Sequence, residues 1–240
     1  MNFDQRIDEE EIMDQATLEP ESLAGAYRDI NRSNELLGGY AATFKALRHQ
    51  MDTIGQSGPI RILDMGCGDG GMLRYLAKRF KKLNLDVEYL GLDLNTDAIS
   101  LARENSKDFP EIKYNVADIM EYQTEAGLFD YVLCTLTLHH FSDEDIPRVI
   151  SVCQNCCKRA VIINDLQRSQ IAYYLFKFFS AIFIGSAVAR NDGLVSIRKA
   201  FRKVELFEIS KRFPNWEHSI KWNWAYRYVW VIKNKRPTPS

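Results

Sequence analysis

Three aspartates close three short apolar runs: Asp64 in RILDMGCGDGG, Asp93 in VEYLGLDLN and Asp118 in IKYNVADI. The first run passes directly into Gly66, Gly68, Gly70 and Gly71. Glycine has no Cβ and reaches φ > 0, so a turn of this kind lets a ligand lie against bare backbone. A second group of residues can move a proton. His139 and His140, half of the chain's four histidines, follow the apolar run FDYVLCTLTL, and Asp165 closes RAVIINDL. A histidine titrates near neutrality, and general-base help against a hydroxyl is worth roughly 10²–10⁴-fold. Asp165 is a second base or an orienter. Arg168, three residues on, is placed to steer an acidic hydroxyl or a carboxylate.

The glycine turn admits two ligand classes. Gly66-x-Gly68-x-x-Gly71 satisfies the dinucleotide fingerprint, with Asp93 as its ribose partner. Asp64 separates the classes, because a carboxylate two residues before the turn repels a pyrophosphate and attracts a cation. S-adenosylmethionine carries a sulfonium and an ammonium and no phosphate. On that reading Asp64, Asp93 and Asp118 meet the ammonium, the ribose diol and the adenine amine in turn, with Ile119 against the ring. The bland alternative is that each aspartate caps the helix that follows it. For the histidines it is that one caps the next helix and the other packs under a lid.

These groups need a scaffold that gathers strand ends. After residue 58 strands and helices alternate: IRILDMG, VEYLGLDLN, IKYNVADI, FDYVLCTLTLHHF and RAVIINDL read as strands, separated by amphipathic helices. Unbroken apolar runs in the first, fourth and fifth predict burial on both faces, as in a parallel sheet covered by helices. Ligands of such sheets lie at the carboxyl ends of the strands. HSIKWNW alternates, with Ile220, Trp222 and Trp224 on one face, and YRYVWVIK follows too soon for a parallel crossover. The expected fold is α/β: a doubly wound, Rossmann-like seven-stranded sheet, mostly parallel, with a C-terminal antiparallel hairpin. Residues 1–58 read as an N-terminal helical cap ending in the linker GQSGP, and 59–240 as the cofactor-binding domain with a helical lid insertion over 166–203.

The longest apolar stretch, IAYYLFKFFSAIFIGSAVA over 171–189, approaches the length of a bilayer span. Lys177 near its middle and Gly185-Ser186 argue instead for a lid helix, with peripheral membrane contact through 171–189 as one role. Tyr173, Tyr174, Phe176, Phe178, Phe179 and Phe183 are too many rings for one helix face. Some should face a pocket for an aromatic or lipid-like acceptor, and others pack on the N-terminal helices. A net charge of −1 provides no global positive field for nucleic acid. The fourth strand is followed by Cys134-Thr135-Leu136-Thr137-Leu138, unlike the proline-rich turn that clamps a flipped base. Lys221, Arg227, Lys233, Lys235 and Arg236 read as a solvated basic strand face. Five unevenly spread cysteines fit a reduced, cytoplasmic protein, and Cys153-x-x-Cys156-Cys157 lacks the second ligand pair of a zinc site, so no metal is expected. The acidic N-terminus is not a secretory signal.

ILDMGCGDGGMLRYLA, YLGLDLNTDAISLAREN, VADI and FDYVLCTLTLHHF together resemble the class I S-adenosylmethionine-dependent methyltransferases over roughly 60–165, and in outline to Lys233. The resemblance implies that cofactor. It carries the family's acid-and-glycine signature onto Asp64, Gly66, Gly68 and Gly70, around Cys67. The ribose acid falls on Asp93 with Leu94 beside it, the adenine pair on Asp118 and Ile119, and the segment after the fourth strand on Thr135 to His140, so that Thr135 and Leu136 touch the cofactor. IMDQATLEPESLAGAYRDINRSNELLGGY, INDLQRSQIAYYLFKFF and RNDGLVSIRKAF are similar to small-molecule methyltransferases found with bacterial type III polyketide synthases. That narrower likeness implies O-methylation of a phenolic or pyrone-like metabolite. His139, His140 and Asp165 would be catalytic, and Tyr40, His140, Arg168, Tyr173 and Tyr174 would meet the acceptor. Rival readings are C-methylation of a quinone-like lipid, nucleic-acid or protein methylation, a nicotinamide oxidoreductase, and an inactive cofactor-binding partner protein.

Overall fold

The computed structural model describes residues 2–15, 18–52 and 58–235. Most of the GQSGP linker and Arg236 lie outside them. Seven strands form one sheet: β1 (Ile60–Met65), β2 (Val87–Asp93), β3 (Ile112–Val116), β4 (Phe129–Thr135), β5 (Cys157–Leu166), β6 (Trp216–Asn223) and β7 (Arg227–Asn234). Their order is β3-β2-β1-β4-β5-β7-β6. The first five pair in parallel, and β7 enters antiparallel between β5 and β6. The expected mostly parallel sheet with a closing antiparallel hairpin is the fold observed.

The eight helices among the described residues are α1 (Pro20–Leu36), α2 (Gly39–Asp52), α3 (Gly71–Lys81), α4 (Thr96–Asn105), α5 (Ile146–Cys156), α6 (Gln170–Phe183), α7 (Ala187–Lys199) and α8 (Lys203–Ser210). Alternation along each strand feeds two cores. Ile62, Tyr131 and Ile162 meet α2, α3 and α4 on one face, while Leu63, Val132 and Ile163 meet α5 and α8 on the other. Both faces are therefore covered, which is why the central strands carry no polar alternation.

A third layer lies over the carboxyl ends of the strands. Leu23 and Ala26 of α1 pack with Met13, Ile184 and Ala189, and Phe176 and Phe179 of α6 close against them. The lid is a helical hairpin rather than one long helix. Ser169 and Ser186 cap α6 and α7 by accepting from the Ala172 and Ala189 amides, so the break expected at Gly185-Ser186 starts a new helix. Among the described residues no helix is long and apolar enough to cross a membrane.

The N-terminal segment before α1 is a strap. Arg6 donates to the carbonyls of His139 and Phe141, both at 2.8 Å, and to that of Lys199 at 2.6 Å. Nothing in the acidic composition of this segment foretells that role.

Candidate active site

β1 ends at Met65 and the chain turns over Gly66, Gly68 and Gly70, whose φ values are 74°, 53° and 77°. The close approach is made partly by the protein itself. A Cβ on Gly66 would lie 2.3 Å from the Thr137 side chain, and one on Gly68 2.7 Å from the Tyr27 ring. Asn31 of α1 donates to both carboxylate oxygens of Asp69 at 3.0 and 2.9 Å, and the Tyr40 hydroxyl donates to Asn31 at 2.5 Å. Helices α1 and α2 are thereby latched onto the glycine turn, a contact the sequence did not foretell.

The three strand-end aspartates behave differently from one another. Asp64 is buried and lines the cavity, and its Oδ1 has no hydrogen-bond partner. Burial, and then the charge of Asp93, push it up to about 7. Such a carboxyl is stabilised as an anion when a cation arrives beside it. Asp93 accepts from the Gly68 amide at 2.8 Å and the Asn95 amide at 3.0 Å, tying β2 to the turn. Asn95, not Asp93, caps α4, as its neighbours in sequence suggest. Asp118 accepts from the Met120 amide at 2.7 Å. The helix-capping alternative therefore fails for Asp64 and Asp93. An unpaired buried carboxylate above a left-handed glycine turn fits a cationic, phosphate-free nucleoside.

After β4, Leu136 adopts φ 55°, unusual for a side chain of its size, and its amide donates to the Asn164 carbonyl at 2.9 Å. A single 3-10 turn, Leu138–His140, then presents both histidines. His139 is buried with Nδ1 2.7 Å from Asp165 Oδ1, while its amide donates to Asp165 Oδ2 at 3.1 Å. On the other side of the ring, Glu11 Oε1 stands 3.5 Å from Nε2. Glu11 itself accepts from Ser196 at 2.9 Å and lies 3.8 Å from the Lys199 ammonium. Burial opposes a charge on His139, but Asp165 and Glu11 outweigh it and hold the imidazole up to about 9. Burial likewise works against Glu11, yet His139, His140 and Lys199 pull it down to about 2. The two carboxylates thus favour the protonated ring of His139 at neutral pH, where a free base was expected.

His140 is different. Its ring centroid is 4.4 Å from that of His139, Nδ1 is 3.0 Å from Asp14, and it keeps a partly solvated edge. Glu11, His139 and His140 each bring one ligand atom within 4.8 Å of the others, but Lys199 already supplies a cation at Glu11.

A cavity of about 990 Å³ runs from the glycine turn past these histidines to the lid. Of the expected cofactor residues, Asp64, Gly66, Cys67, Gly68, Asp93, Leu94, Asp118, Ile119, Thr135 and Leu136 line it, together with Tyr40, His139 and His140. Gly70 does not; a side chain there would meet the Tyr114 hydroxyl. Asp165 reaches the cavity only through His139. The far end is walled by Phe176, Phe178, Phe179 and Phe183.

Three expected acceptor residues are elsewhere. Arg168 is buried against the strap, donating to the carbonyls of Phe3, Asp4 and Ala200 and to Glu205. Tyr173 packs edge-on to Phe3, and Tyr174 points outward with half its surface exposed. Helix phase decides this, since α6 turns Phe176 and Phe179 inward. In their place the cavity takes Trp224 and Tyr226 from the β6–β7 connection and Arg227 from the start of β7. Arg227 is not on a solvated face. It is buried, donates Nη2 to Asn34 at 2.9 Å, and its Nε and Nη1 have no partner, while burial lowers it to about 10. The signal was the unbroken apolar run from Tyr228 to Ile232, which marks an interior strand.

Residues 62–160 match the model of a family described as a methyltransferase domain. The chain is 43% identical over 63 residues, 26% of its length, to the non-reducing polyketide synthase tazA of Aspergillus terreus. It is 30% identical over 96 residues to the non-reducing polyketide synthase prhL of Penicillium brasilianum. It spans only 2% and 4% of those relatives. Among solved structures, the plantazolicin methyltransferase BpumL, in complex with a pentazolic desmethylPZN analog and SAH, superposes with TM-score 0.65 at 16% identity, covering 90% of this chain and 97% of that one. The citrinin polyketide synthase CMeT domain superposes with TM-score 0.56 at 15% identity over 72% and 46% of the two chains. The CurJ carbon methyltransferase does so with TM-score 0.60 at 15% identity over 81% and 53%.

Proposed function

We propose that this chain, whose fold is that of class I methyltransferases, methylates an apolar small molecule bearing a phenol or an enol, with S-adenosylmethionine as donor. One observation carries the reading: a single cavity joins an unpaired buried carboxylate on a glycine turn to a chamber of phenylalanines, with His139 and His140 at the junction.

Asp64 would hold the ammonium of the donor and the free N–H groups of Arg227 its carboxylate. Asp93 would take the ribose, and Asp118 with Ile119 the adenine. When bound, the donor supplies a methyl group on a positively charged sulfur, already activated. The work of the chain is to align the acceptor, exclude water and remove one proton. Alignment alone supplies roughly 7–11 kcal/mol.

The two histidines have separate roles. The His139 ring, its two nitrogens facing Asp165 and Glu11, fixes the turn that carries His140. His140, beside it and open to water, takes the proton and passes it to solvent. A phenol methylated at oxygen and a 1,3-diketone methylated at carbon each lose one proton, so the same pair serves both. Oxygen is the first reading, from the phenolic-lipid likeness. Carbon is the second, favoured by the matches to polyketide synthases and to the CurJ carbon methyltransferase.

Incubation with methyl-labelled donor and a panel of alkylphenols, alkylpyrones and acyl diketones tests the assignment, with NMR of the product locating the methyl. Tight NAD binding with no affinity for S-adenosylhomocysteine would refute it.

A further inference from the structure

We infer that the outward face of α6 docks on the surface of a lipid bilayer and that the acceptor enters the cavity from that surface. The second clause rests on the apolar-acceptor reading above; the first does not.

Helix α6 is apolar on both sides. Phe176 and Phe179 face the roof core, while Ile171, Tyr174, Leu175, Phe178 and Ile182 recur at i, i+3, i+4, i+7 and i+11 on the opposite side. Those five side chains are 63%, 52%, 49%, 71% and 59% exposed. A helix apolar all round belongs in a core or in lipid, and a contiguous stripe of this size on a surface marks an interaction site. At 14 residues α6 is too short to span a bilayer, so it would lie in the interfacial plane.

The occupant follows from where the stripe leads. Leu175, Phe178, Phe183 and Trp224 are exposed and also line the cavity, so the mouth opens onto this face. A second copy or a partner protein seated there would cover the mouth. A bilayer covers the stripe and delivers an apolar acceptor through it. The charge agrees: α6 has no carboxylate, and Lys177 is its one ion, suited to extend along the helix to an anionic headgroup. Trp224 and Tyr174 have the ring-and-polar-edge character that favours the membrane interface.

The test is co-sedimentation of the full chain with vesicles of phosphatidylcholine and phosphatidylglycerol. The variant carries Ile171→Glu and Ile182→Glu, two exposed positions outside the cavity lining. The parent should pellet with vesicles and the variant should stay in the supernatant. Both should methylate a soluble short-chain phenol equally, with only the parent processing a long-chain acceptor embedded in vesicles. A parent that fails to pellet, or a variant that pellets as well, overturns the docking. So does a lipid-free dimer in sedimentation velocity that the variant dissociates, because the stripe then faces a second copy. Calorimetry with S-adenosylhomocysteine on the same samples judges the catalytic reading separately, since bilayer binding needs no cofactor.

Discussion

His139 Nδ1 lies 2.7 Å from Asp165 Oδ1, deep under the roof, and this carboxylate favours a protonated ring where a free base was expected. Glu11 completes the arrangement 3.5 Å from the other ring nitrogen. Folding stability should follow. His139 is raised from 6.5 to about 9, so its contribution is complete below 6.5 and is lost as pH rises through 9. Glu11 is lowered from 4.5 to about 2, so its contribution is present above 4.5 and is lost as pH falls through 2. Denaturant midpoints should therefore fall as pH rises from 4.5 to 7, because Asp64, raised from 3.8 to about 7, has to ionise in a buried site, and fall further through 9 as His139 loses its proton, each step on the order of 3–4 kcal/mol. His139→Gln should flatten that alkaline limb.

The two histidines should separate kinetically. His140→Gln removes the proton acceptor and should lower kcat by roughly 10²–10⁴-fold, with partial recovery as pH rises and solvent hydroxide takes over. His139→Gln should loosen the turn that carries His140 and lower kcat, while the pH midpoint of kcat/KM and S-adenosylhomocysteine affinity stay unchanged. Identical pH profiles for both variants would show that the division of labour is wrong.

Donor binding should release a proton. Asp64, raised to about 7 in the free protein, ionises when a cation lies beside it. Calorimetry below pH 7 in buffers of different ionisation enthalpy should show that release, larger for S-adenosylmethionine than for its uncharged-sulfur product. Asp64→Asn should abolish the buffer dependence.

Arg227→Met tests the other end of the donor. Loss of a buried charged partner costs roughly 1.5–3 kcal/mol, so S-adenosylhomocysteine affinity should fall by about tenfold or more. An analogue lacking the carboxylate should bind parent and variant alike.

Gly193→Ala probes the roof alone. A Cβ there would sit 2.4 Å from the Phe176 ring, overpacking the α6–α7 hairpin at a cost of roughly 1–3 kcal/mol. Thermal stability and turnover of bulky apolar acceptors should drop together, and donor affinity should hold.

Local pattern was enough for the sheet and its acids. Apolar runs of strand length, a glycine turn after the first and aspartates closing three of them constrain which ends meet, because parallel strands with helical crossovers admit few topologies. The glycine-turn end of the cavity was legible for the same reason: Asp64, Asp93 and Asp118 sit beside their own strand ends, and of the residues expected around that turn only Gly70 is absent from the lining.

The rest of the cavity was not legible, because its lining comes from far along the chain. Arg168 carries the right charge but spends it on the strap, whereas Arg227 reaches the cavity only because β7 is threaded between β5 and β6. Periodicity shows which face of a helix is buried only when the two faces differ, and α6 is apolar on both, so Tyr174 and Phe176 looked alike.

The sequence by itself determined the fold class, the acidic strand ends gathered around a glycine turn and the presence of an apolar lid, since each depends on residues within a few positions of one another. Only the tertiary structure decided the protonation of His139 and the outward face of α6. A buried charge is set by whichever groups the fold brings against it, and Glu11 from the N-terminal strap and Asp165 from β5 converge on that ring.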